Sequence, residues 1–161
     1  MTAAQPFAYH RSIAPLMWVF VAIATVELVV VHLLLVLWRP WVALTLSAIS
    51  LASIAWLIAA IRSFRTLPVL VAPERIVLRA GRLRSVEIAP GNIAGFRGQW
   101  DRAALKAPGV VNLALLAYPN VVLDLREPIA GRRRPVTAVA HRLDHPAAFA
   151  AAIEALGQVH D

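Results

Sequence analysis

The sequence predicts an α+β membrane protein: a two-helix transmembrane hairpin near the N-terminus, then an antiparallel β domain capped by a C-terminal helix. Three features carry that prediction. Residues 15–38 and 42–61 are nearly unbroken apolar runs, each about the 20 residues a helix needs to cross a hydrocarbon core. After Pro68 the apolar spacing changes from helical to alternating. Helical spacing returns only at Phe149, Ile153 and Leu156. The expected organisation is a tail at 1–14, the hairpin at 15–62 with its turn at 39–41, and a soluble domain at 66–161.

The first apolar run holds one acidic residue, Glu27, and one histidine, His32; the second run holds no charge. A cleaved leader is not expected, because the first run is too long for one and a second span follows at once. Arg39-Pro40-Trp41 is the whole connection, and a proline there ends the first helix, so the two helices are expected to be antiparallel neighbours. Trp38 and Trp41 bracket the turn, where an interfacial aromatic belt would put them. Arg11 precedes the hairpin and Arg62, Arg65 and Arg75 follow it, against a single Arg39 in the turn. Both termini are therefore expected in the cytoplasm.

Ala48, Ala52, Ala55 and Ala59 form one small stripe on the second helix, expected to pack on the first or else to dock a partner helix. A charged carboxylate at mid-membrane costs at least about 2.5–3.5 kcal/mol, so Glu27 should face protein or water. Its expected partners are Ser47, Ser50 or Ser53; the alternatives are an intramembrane proton or ligand site and a contact with a partner helix. His32 lies five residues on, about 140° around the helix, so the two do not share a face.

His32-Leu33-Leu34 followed by Trp38-Arg39-Pro40-Trp41-Val42 resembles part of the light-harvesting β polypeptides of purple bacteria. That resemblance implies a photosynthetic-complex subunit in which His32 ligates bacteriochlorophyll. The family's small residue four before the histidine is here Leu28. Otherwise no cofactor is expected.

In the domain, strands are expected at 69–72, 76–80, 83–89, 93–97, 110–116, 121–127 and 136–143. Turn residues separate most of them, among them Ala80-Gly81, Pro90-Gly91, Tyr118-Pro119-Asn120 and Gly131. Val121, Leu123 and Leu125 alternate with Val122, Asp124 and Arg126, the pattern of a strand buried on one face. Asp144 is the expected N-cap of the last helix, with Pro146 in its first turn. The stripe of that helix would plug the open end of a sheet or barrel.

This order is similar to a pleckstrin-homology-like (PH-like) barrel, and more narrowly to small bacterial membrane proteins in which two helices precede a bacterial PH-like domain. The segments that carry the likeness are Pro68-Val69-Leu70-Val71, Ile76-Val77-Leu78-Arg79-Ala80-Gly81 and Val86-Glu87-Ile88-Ala89-Pro90-Gly91-Asn92-Ile93. Leu125-Arg126-Glu127-Pro128 and Asp144-His145-Pro146-Ala147-Ala148-Phe149 complete it. The resemblance implies an antiparallel barrel or sandwich in a bacterial inner-membrane protein, and binding or scaffolding rather than catalysis.

Sixty per cent of the 161 residues are hydrophobic, above the range of an ordinary soluble domain. The absence of cysteine excludes disulfides, cysteine-ligated zinc and a thiol nucleophile. The net charge is +7; from Thr66 onward 12 Lys/Arg face 8 Asp/Glu. Beside a bilayer such basicity favours anionic lipid, and the signatures of nucleic-acid binding are missing, so no nucleic-acid partner is expected. Arg132-Arg133-Arg134, after Gly131, is a candidate lipid or partner contact. Trp100, Arg102 and Lys106, in the long irregular stretch 98–109, are another, unless Trp100 folds back onto the barrel. His141, Asp144 and His145 lack a regular ligand spacing, and no metal is expected. No phosphate loop, nucleophile elbow or H-E-x-x-H motif occurs, so an enzyme is not expected. The expected role is a non-enzymatic accessory or scaffold protein that meets membrane lipids and other membrane subunits.

Overall fold

The computed structural model describes residues 4–11, 13–132 and 134–157. The apolar runs form α1, Ala14–Val36, and α2, Pro40–Thr66, joined by a tight turn at 37–39 rather than the expected 39–41, because Pro40 and Trp41 open α2. Pro15 and Pro40 suit the first turns because their missing N–H groups have no intrahelical acceptor there. In the most apolar stretch of each helix, only 6% of α1 and 11% of α2 is buried. Neither is buried within this chain as a core helix would be, and both are long and apolar enough to cross a membrane.

The segment expected as a tail is not a separate tail. It supplies β1, Gln5–Phe7, which pairs antiparallel with β2, Val69–Val71, just past the hairpin. Strands β3, Ile76–Ala80, and β4, Arg84–Ile88, complete a four-stranded sheet in the order β1-β2-β3-β4. The chain that enters α1 and the chain that leaves α2 are thus stitched together at one end of the hairpin.

A short turn at Pro90–Asn92 carries the chain into a second sheet. Its strands are β5, Ile93–Phe96, β6, Val110–Asn112, β7, Val121–Ile129, and β8, Val136–His141. Their order is β5-β7-β8-β6, and β6 runs parallel to β8. Of the expected antiparallel barrel or sandwich, no closed barrel forms, because the strands divide into two separate sheets, and one pairing is parallel rather than antiparallel. The expected strand 110–116 stops at Asn112, whose side chain accepts the Ala114 N–H, and Leu115 then turns left-handed. Pro128, which cannot donate to a ladder, sits where the β7–β8 register shifts.

Residues 102–106 form a short helix, α3, Arg102–Lys106, capped by Asp101 through the Ala104 N–H at 2.7 Å. It explains why Val122 is buried despite its outward position. Val122, Ala138 and Ala140 form a second small cluster, covered by Trp100, Leu105 and Val110.

The final helix, α4, Pro146–Gly157, buries Phe149 and Ile153 as its spacing predicts. Phe149 meets Phe7 and Phe96 edge-on, so α4 bridges β1 and β5, one strand from each sheet. Asp144 is not the cap. It lies two positions before the helix, accepts the Arg11 N–H at 3.4 Å, and donates its own N–H to Ala8 O at 2.9 Å.

One hydrophobic cluster runs from Val21, Met17 and Ile61 through Phe64 and Tyr9 into both sheets. Tyr9 is fully buried; its hydroxyl donates to Leu67 O at 3.0 Å and accepts the Gly81 N–H at 2.6 Å. Burial raises its pKa above the usual phenol value. His141 packs edge-on to Tyr9, with ring centroids 5.0 Å apart. Its Nε2–H donates to Arg79 O at 2.8 Å and its Nδ1 accepts the Arg142 N–H at 2.7 Å. Both nitrogens are satisfied in the neutral ring, and burial holds the pKa below the ordinary histidine value.

That arrangement makes stability depend on pH. Below about pH 6.5 the unfolded chain takes up a proton that the folded His141 refuses. The stability contributed by neutral His141 is complete above that pH and falls as pH drops toward the folded pKa, by up to about 1.4 kcal/mol per unit. Thermal melts of the full chain in detergent between neutral pH and pH 5 should show this decline, and His141→Gln should be less stable at neutral pH but flatter with pH.

Candidate functional site

Helix α2 faces α1 with Ala43, Ser47, Ser50, Ile54, Leu57 and Ile61, all buried or half-buried. The alanine stripe, expected against α1, is exposed on the opposite side of α2. The physical reason is competition between faces: Ile54, Leu57, Ile58 and Ile61 join the main cluster and bury more apolar area than alanines would.

Between the helices lies a cleft of about 330 Å³. Ala24, Glu27, Leu28 and Val31 line it from α1; Leu46, Ser47, Ile49, Ser50, Ser53, Ile54 and Leu57 line it from α2. Glu27 and the three serines therefore line the same cleft. The expected Glu27–serine hydrogen bond is absent: among the described residues Glu27 has no hydrogen-bond partner, nor has the Ser50 hydroxyl. Ser53 donates to Ile49 O at 2.9 Å. Ser47 is held instead by His32, with Nδ1 and Oγ 2.7 Å apart. His32 is thus half-buried at the helix–helix contact, close to the cleft but not in its lining.

The domain candidates fall in different places. Arg132 and Arg134 are exposed between β7 and β8, and Arg133 lies outside the described residues. This tip is at the far end of β8 from His141, at least about 16 Å along the strand from the Tyr9 junction. Trp100 folds back over Val122, Ala138 and Ala140, while Arg102 and Lys106 on α3 are exposed. His141, Asp144 and His145 do not converge, because His141 spends both nitrogens on backbone groups and Asp144 faces Arg11.

The structure adds a surface that the sequence did not single out. The β3–β4 turn, Gly81-Arg82-Leu83, folds onto the last turns of α2. Arg82 donates its N–H to Ser63 Oγ at 3.2 Å, and Ser63 in turn donates to Ala60 O at 2.7 Å. Gly81, at φ +55°, lies against Ser63 and Phe64. Arg82, Leu83 and Arg84 are exposed at this turn, and Arg62 and Arg65 are exposed on the same last turns of α2. Their only sequence signal was a turn glycine followed by Arg-Leu-Arg; nothing local says that this turn folds back on a helix ending near residue 66.

The fold and these surfaces define a class at the coarsest level: an α+β chain with two membrane-length apolar helices and a two-sheet domain fastened to their base. No protein-family model matches the chain, and neither the curated proteins nor the solved structures contain a significant match.

Proposed function

We propose that the chain is a non-enzymatic, membrane-anchored accessory protein of a bacterial inner membrane. Its hairpin spans the bilayer with both termini in the cytoplasm, and its PH-like domain rests on the anionic inner leaflet. The single observation that carries this reading is the collar at the hairpin base. The Ser63 and Tyr9 hydrogen bonds hold Gly81 and Arg82, and with them the exposed Leu83 and Arg84, at the last turns of α2, the segment that also carries the exposed Arg62 and Arg65. Counted from Pro40, the residues before Arg62 already provide a membrane-length helix, so the collar falls at headgroup level. Each arginine there gains about 1 kcal/mol from an anionic surface, and Leu83 can enter the interface between them. The continuous core from Val21 to the sheets supports a fixed platform rather than a loose tether. Arg132 and Arg134, being remote from the base, are better suited to a partner on the cytoplasmic side.

The chain has no cysteine, so Leu83→Cys gives a single attachment point for an environment-sensitive fluorophore. In vesicles rich in anionic phospholipid its emission should shift to the blue and be quenched by headgroup-located quencher lipids. High salt, or Arg82→Gln with Arg84→Gln, should reverse both effects. Equal emission in anionic and zwitterionic vesicles overturns leaflet docking, and release of the chain by alkaline carbonate overturns the membrane anchor itself.

A further inference from the structure

We propose that the cleft at Glu27 is a binding site for a small lipophilic amine, taken up from the bilayer. The inference rests on the hairpin lying in the membrane, as proposed above. Its chemistry comes from what the cleft offers and lacks. Glu27 brings two carboxylate oxygens with no partner among the described residues. Ser53 has committed its hydroxyl proton to Ile49 O and has only lone pairs left to offer. Apart from the uncommitted Ser50 hydroxyl the polar groups of the wall offer acceptors, and no Lys or Arg lines it. The complementary group is a cation with several N–H donors, which a primary ammonium supplies.

The rest of the lining is aliphatic: Ala24, Leu28 and Val31 on one helix, Leu46, Ile54 and Leu57 on the other. It suits an apolar body attached to that ammonium. About 330 Å³ lies at the low end of small-molecule pockets and is far too small for a helix. A partner helix could reach Glu27 only with one long basic side chain. A proton path is less well supported, since His32 is turned onto Ser47 and does not line the cleft.

The test uses the full chain in nanodiscs and 2-[3-(trifluoromethyl)phenyl]ethylamine as the probe, followed by fluorine NMR. Empty nanodiscs give the partition baseline. Saturable binding above that baseline is expected, at least tenfold weaker in Glu27→Gln and only partly weakened in Glu27→Asp. The corresponding alcohol, which has the same body but no ammonium, should not saturate. Melting curves of the variants report their folding, and carbonate extraction of the same preparations reports membrane insertion, so failure of the anchor is separable from failure of the site. No saturable binding, or equal binding to Glu27→Gln, or equal binding of the alcohol, overturns the proposal. So does a co-purifying membrane chain that is lost in Glu27→Gln while the purified protein ignores the amine; that result assigns Glu27 to a partner's basic side chain.

Discussion

Truncation of Tyr9 to alanine is expected to destabilise the chain by about 3–5 kcal/mol, the usual cost of deleting a buried aromatic side chain. Tyr9 is fully buried, and its ring packs edge-on against both Phe64 and His141. It therefore joins the end of the hairpin to β8. Its hydroxyl adds a second join, from Leu67 O to the Gly81 N–H. Tyr9→Phe separates the two contributions. It keeps the ring but leaves the buried Gly81 N–H without its acceptor, a loss of about 1–3 kcal/mol. Melting of the full chain in detergent, followed by near-ultraviolet circular dichroism, measures both. A Tyr9→Phe variant as stable as the parent would mean that water or another group satisfies Gly81, and that the hydroxyl is not part of the junction.

The second large effect is expected at Gly81, where alanine is unfavourable for two independent reasons. The residue has φ +55°, a left-handed conformation costing a side-chain-bearing residue about 1–2 kcal/mol. An added Cβ would also meet Ser63 Oγ at clashing distance and stand 2.7 Å from the Phe64 ring. Neither neighbour can move freely: Ser63 holds Ala60 O and the Arg82 N–H, and Phe64 is 1% exposed. Overpacking of this kind costs about 1–3 kcal/mol, so Gly81→Ala should lose about 2–5 kcal/mol. Gly91→Ala is the control, since nothing lies within 4 Å of its Cβ position, and its melt should be almost unchanged. Because Gly81 opens the turn that carries Arg82 and Leu83, the same variant should also abolish the fluorescence signature of leaflet docking. Stability lost with docking retained would show that the collar does not depend on this turn.

Elements governed by their own residues were legible in the sequence. The two apolar helices follow from the length of their apolar runs, and the buried stripe of α4 from its helical spacing. Strand β1 was not legible. Three residues containing a proline carry little periodicity, and the strand exists because β2 offers it an edge. The end of β6 was missed for the opposite reason: an apolar run at 113–116 looks like strand, but Asn112 and a left-handed Leu115 turn it away. Within the candidate site, Glu27 and the serines were identifiable as polar groups in apolar runs, but the cleft they share is seen only in the packed hairpin. That His32, rather than Glu27, holds Ser47 was not.

The sequence by itself determined that this chain has a hairpin long and apolar enough to cross a membrane, followed by a basic, mainly β domain. Only the tertiary structure decided that the domain is locked to the hairpin's base, that its sheets stay open, and that Arg82 and Leu83 rather than Arg132 sit at that base. The reason is separation along the chain. Hydrophobic period is a local property, whereas the junction depends on Tyr9 meeting Gly81, 72 residues away, and no local pattern encodes which distant backbone group a buried hydroxyl will find.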